Sequence, residues 1–130
     1  MSLVAKERPP LAWAALQHNL GAVLLHLGLW TCGTEGVAEA ERAVAALRGS
    51  LDIYGHDAHP AQWAEAHRCL ALALELVGDL GAEDADRHYS EALVHARAAL
   101  EELGNHLPRS GADDVVELEQ RLVAKLAEVP

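Results

Sequence analysis

The sequence predicts an all-α fold, built from two stacked helix-turn-helix units and a C-terminal capping helix. Two observations carry that prediction. Bulky residues recur at a fixed offset of fifty: Pro10, Trp13, Ala14, Leu20, Leu24 and Gly28 return as Pro60, Trp63, Ala64, Leu70, Leu74 and Gly78. Self-similarity at such a period marks stacked supersecondary units, each too small to bury its apolar face alone. Composition is the second. Apolar residues make up 51% of the chain, yet there are only three Trp, two Tyr and no Phe, so the core must be drawn from Ala, Leu and Val. Ala and Leu lose least on entering a helix.

Taken in order, residues 1–9 read as a short N-terminal tail. The first helix is expected over about Leu11–Leu27, with Pro10 at its start and Gly28 at its end, the usual proline-then-glycine asymmetry. A turn through Cys32-Gly33-Thr34 leads, with Thr34 as cap, to a second helix over roughly Val37–Tyr54. Its Val37, Ala40, Val44, Leu47 and Leu51 fall at spacings of three and four, one continuous apolar stripe. These elements make the first unit, residues 10–59. The second unit, 60–111, repeats them as helices over Ala61–Val77 and about Ala85–Leu103. Its internal turn is longer by two residues, so Glu39-Ala40 aligns with Glu91-Ala92, and turns are where repeats absorb insertions. Asn105 to Gly111 is a breaker cluster. Residues 112–130 then place Val115, Leu118, Leu122, Leu126 and Val129 on one face of a capping helix, with charges on the other. Trp13 and Trp63 are expected to be mostly buried between units, and Trp30, which has no counterpart, to lie exposed in the first turn.

The formal charge of −10 excludes nucleic acid and anionic membrane as expected partners, since both would be repelled. The uncharged stretch between Arg8 and Glu35 is interrupted by Gln17-His18-Asn19 and His26, so it falls short of the roughly 20 apolar residues a membrane span requires. Cys32 and Cys69 are the only cysteines and form no bridge framework, which points to a reducing compartment. Residues 1–8 lack a basic-then-apolar signal. A cytoplasmic location is the expectation.

Chemistry finds little to work with. None of the eight histidines has the H-x-x-x-H or H-E-x-x-H spacing that aims two imidazoles at one ion from a helix. His56, Asp57 and His59 cluster in a loop, and His88 and His95 share a helix face two turns apart, but neither arrangement has that spacing. A nucleophilic Cys32 or Cys69 would need a positioned base and an oxyanion donor, which a helical stack with few glycine loops does not offer. No phosphate-binding glycine loop occurs. The expectation is therefore a protein that is not an enzyme, with no cofactor and no metal.

Within each unit, Gln17-x-x-Leu20-Gly21-x-x-Leu24 followed by Ala40-x-x-x-Val44 resembles the tetratricopeptide repeat signature, in which small residues let two antiparallel helices touch. The period is longer than the usual 34. The chain is most similar to the long-period bacterial variant: Pro10-Leu11-Ala12-Trp13-Ala14-Ala15-Leu16-Gln17-His18-Asn19-Leu20-Gly21, Leu27-Gly28, Gly33-Thr34 and Glu39-Ala40 carry its pattern. The second unit departs from it with His67, Cys69 and Ala71, and lacks Gly-Thr in its turn. The resemblance covers about Arg8 to Gly104. It implies a helical scaffold whose concave face, lined by the first helix of each unit, grips a partner protein or peptide, and it implies no catalysis.

By that resemblance the groove is lined by His18, Ala22, Leu25 and His26 in the first unit and by Glu65, Arg68, Leu72 and Glu75 in the second. It is thus expected to be apolar on one unit and charged on the other, with a partner's apolar anchor near Leu25. A charged stripe can also simply solvate a helix face. The alternative function is a self-associating structural or assembly subunit without a groove ligand. It rests on the opening helix, which is apolar on nearly every side, whereas a helix of that kind is normally covered on every side. A two-fold homodimer with the first helices at its interface is the expected form.

Overall fold

The computed structural model describes residues 10–31, 34–55, 57–81, 84–106 and 109–128, which form five α-helices with no strand among them. Helix α1 spans Pro10–Trp30, α2 Thr34–Leu51, α3 Pro60–Asp79, α4 Ala85–His106 and α5 Arg109–Ala127. The expected tail over 1–9, the Cys32-Gly33 turn, His56 and Val129 lie outside the described residues. No helix among the described residues is long and apolar enough to cross a membrane.

The glycines expected to end helices sit inside them. A Cβ on Gly28 would lie 3.0 Å from Leu76 Cδ2, and one on Gly78 would lie 2.7 Å from the Tyr89 ring. Both positions are close approaches between helices, tighter at Gly78 than at Gly28, and the helices run past them, α1 to Trp30 and α3 to Asp79. The residue that turns the chain is Gly81, at a left-handed φ of 92°. Its N–H meets the Gly78 carbonyl oxygen at 3.3 Å, while the Leu80 N–H meets that of Leu76 at 2.9 Å. That arrangement satisfies carbonyls the helix end would otherwise orphan. Helix α5 begins at Arg109, inside the stretch expected to break.

Helix α1 packs along α2 and α3 along α4, while α2 joins the first pair to the second and α4 holds α5. Narrower contacts join α1 to α3 and α3 to α5. Several equivalent positions of the repeat are buried alike: Ala14 with Ala64 and Ala40 with Ala92 are fully buried, and Leu24 and Leu74 nearly so. Leu47, Leu70, Val77, Val115, Leu118 and Leu122 supply the bulk of the core. A Cβ on Gly21 would come within 2.6 Å of Leu47 Cγ, which shows how closely α1 and α2 approach. Trp13 and Trp63 are largely covered, as expected, without being fully buried. Trp13 lies over Gly49, and Trp63 sets its edge against His67 at a centroid distance of 4.3 Å. Trp30 is exposed as expected, at 87%, but as the last residue of α1 rather than in a turn.

Candidate functional site

Helix α3 is the middle member of the face it shares with α1 and α5. Three of the expected groove residues come together there. His18 of α1 faces Glu65 of α3, and Arg68, one turn further along α3, forms a two-pronged ion pair with that carboxylate, its Nε donating to Oε2 at 3.1 Å. Burial works against the Glu65 charge, but the hydrogen bonds and charge of Arg68 outweigh it and hold the carboxyl below its ordinary pKa. Leu72 continues the stripe, half-buried.

A cavity lies on each side of this stripe. Toward α1, a cavity of about 210 Å³ is lined by Ala15, His18, Asn19, Tyr54, Ala61, Gln62 and Glu65. Toward α5, one of about 250 Å³ is lined by Arg68, Leu72, Asp114, Glu117, Leu118 and Arg121. Tyr54, Gln62, Asp114 and Glu117 are thus part of the site although sequence reasoning passed over them. The spacing of three between Asp114 and Glu117, which puts both on one face of α5, was the available signal.

Two expected groove residues face inward instead. Leu25 is buried in the core, so the anchor site expected beside it does not exist. Glu75 is also buried and accepts from Arg121 Nε at 2.6 Å, Arg121 Nη2 at 2.8 Å and Lys125 Nζ at 2.8 Å. Lys125 reaches Asp79 as well, at 2.8 Å, and Asp79 accepts from the Tyr89 hydroxyl at 2.7 Å. Burial opposes the Glu75 charge, and the two cations overcome it and lower its pKa. The Glu75 carboxylate therefore fastens α5 to α3 and is not presented to a ligand. Ala22 is half-buried and His26 is exposed, and neither lines the two cavities.

One group of possible metal ligands is present among the described residues. Ligand atoms of His18, Glu65 and Cys69 all lie within 4.8 Å of one another, and His18 Nδ1 is the one buried side-chain polar atom among those residues without a hydrogen-bond partner. The donor types suit a zinc-like ion. Against this, both carboxylate oxygens are taken by Arg68, whose Nη2 also approaches the Cys69 sulfur at 3.8 Å. Burial pushes the Cys69 thiol up to about 11. An ion would have to displace a guanidinium and deprotonate that thiol, so the arrangement reads as a side-chain network. The histidines that share a face in sequence have separate partners: His88 Nδ1 lies 3.1 Å from the Asp84 carbonyl oxygen, and His95 Nδ1 lies 2.8 Å from His67 Nδ1.

A third cavity, about 390 Å³, opens between α2 and α4 over Leu74 and Val77, with Arg48 of α2 ion-paired to Glu91 of α4 at its side. Comparison of the chain with protein-family models, curated proteins and solved structures gave no match.

Proposed function

We propose that the chain is a tetratricopeptide-like protein-interaction module that binds a partner protein or peptide on the concave face formed by α1, α3 and α5. The observation that supports this reading is the outward stripe Glu65, Arg68 and Leu72, with a cavity along each flank. A line of one acid, one cation and one apolar side chain between two recesses suits an extended or helical peptide that anchors an apolar side chain in one recess. Glu65 is already neutralised by Arg68, whereas Asp114 and Glu117 are exposed. The partner segment is therefore basic where it passes α5 and apolar where it meets Tyr54 and His18. The charge of −10 favours the same partner through long-range steering.

Peptides selected from a displayed random library on the intact chain test this. They should be enriched in Lys or Arg near an apolar residue and lose at least about tenfold in affinity, or 1.4 kcal/mol, on the Asp114→Lys/Glu117→Lys variant. Both side chains are exposed, so folding should survive. Selected peptides that bind the variant as well as the parent would place the interaction elsewhere.

A further inference from the structure

The two units offer a comparison between equivalent faces, one with a helix pair lying against it and one without. On α3, Ala66, Leu70, Ala73 and Val77 lie on the side away from Gly78 and its α4 contact Tyr89, where α2 packs, and they are 0–1% exposed. Fifty positions earlier, Leu16, Leu20, Val23 and Leu27 hold the same places on α1 and are 46–62% exposed. Trp30 completes the row at 87%. Nor is the α1 row a solvated version of the buried one. Leu stands for Ala, Val for Ala and Leu for Val, so it carries more apolar bulk than its covered counterpart.

We infer that this row is a helix-docking face whose occupant is the same row of a second copy of the chain, across a two-fold axis near Val23. Three observations select that occupant. The row from Leu16 to Trp30 leaves open on the order of 600 Å², at the upper end of what monomers commonly leave as one apolar patch and near the low end of what each partner contributes to a stable interface. Each copy carries −10, and α1 is the one helix of the five without a charged residue. Two copies therefore meet there with least repulsion. The opposite end of the stack presents exposed Asp113, Asp114 and Glu117 of α5, which an apolar row could cover only by desolvating them, so the isologous arrangement that sets apolar row on apolar row is favoured. The steps of four, three, four and three from Leu16 to Trp30 are those of a coiled-coil seam. Antiparallel pairing about Val23 sets Leu20 beside the second copy's Leu27 and Leu16 beside its Trp30.

Sedimentation of the full chain at micromolar concentration is expected to show a dimer. Val23→Glu, at a position exposed in the single chain, should weaken it at least about a hundredfold with helical circular dichroism unchanged. Val94→Glu, on exposed α4 surface, should leave it intact. Val23→Cys in a Cys32→Ser background should join the two copies under mild oxidation, because a residue at a two-fold axis meets its own mate. A parent chain that sediments as a monomer at tens of micromolar overturns the inference. So does a dimer that tolerates Val23→Glu, or one that fails to cross-link through residue 23.

Discussion

Leu70→Ala should cost about 3–5 kcal/mol, enough to unfold much of a domain this small. Leu70 is fully buried in the central cluster, on the α3 face where α2 packs. The close approach of helices through alanine and glycine leaves little freedom for the site to collapse around a cavity. Its repeat partner makes the result diagnostic. Leu20→Ala removes the same atoms from the same position of the first unit, where the side chain is 46% exposed, and should cost less than about 1 kcal/mol in the monomer. Trp63→Ala should fall between them, because the indole is half-buried. Urea denaturation on a Val23→Glu background, which removes any contribution from association, measures all three. Equal losses at Leu70 and Leu20 would mean that the two units are not packed as described.

Acid should destabilise the fold in a window set by the imidazole pair. His67 and His95 stack with centroids 5.0 Å apart, and their Nδ1 atoms are 2.8 Å apart. One nitrogen must carry a hydrogen and the other must accept it. A proton added to the acceptor sets two N–H groups head to head. Burial, and then the charge of His95, push His67 down to about 4 from 6.5, while His95 is lowered by burial and by Arg48 against the opposing pull of Glu91. The folded pKa lies below the unfolded one, so the unfolded chain takes up more protons between them. Stability is complete above pH 6.5 and falls as pH drops toward about 4, by roughly 2–3 kcal/mol in all. The first unit holds Gln17 at the position of His67, so His67→Gln is a replacement the repeat itself suggests. Thermal melts from pH 7 to 4 should slope for the parent and flatten for this variant. An unchanged slope would assign the acid sensitivity to other groups. The carboxylates of Glu65 and Glu75 join at the acid end of that window: their folded pKa values are depressed, so their contribution is present above the ordinary 4.5 and is lost as pH falls below it.

Much of this fold is legible before any coordinates are seen, because helix count and stacking are written in periodic large residues. Trp13, Leu20 and Leu24 recur in Trp63, Leu70 and Leu74 whatever surrounds them. The misreadings share one physical origin, tertiary contact between residues far apart in sequence. Gly28 and Gly78 look like local stops, yet each is explained by a partner on another helix. Glu75 looks like part of an exposed charged stripe because its cations, Arg121 and Lys125, lie 46 and 50 residues further on. The association of His67 with His95 depends on the rotational setting of α3 against α4, which neither helix encodes alone. At the site, the spacing of Glu65, Arg68 and Leu72 was enough to place them on one line. Their neighbours Tyr54 and Asp114 come from a loop and a capping helix that no periodicity ties to α3.

The clasp around Glu75 gives α3 two unlike halves. Its N-terminal half shows Glu65, Arg68 and Leu72 to the outside, whereas its C-terminal half is already occupied by α5, held through Glu75 and Asp79. Helix α5 lies along that half with Arg121 and Lys125 turned toward α3. On the proposed reading, a partner segment that ends at Leu72 would lie beside α5, and a longer one would have to displace Arg121 and Lys125 from Glu75.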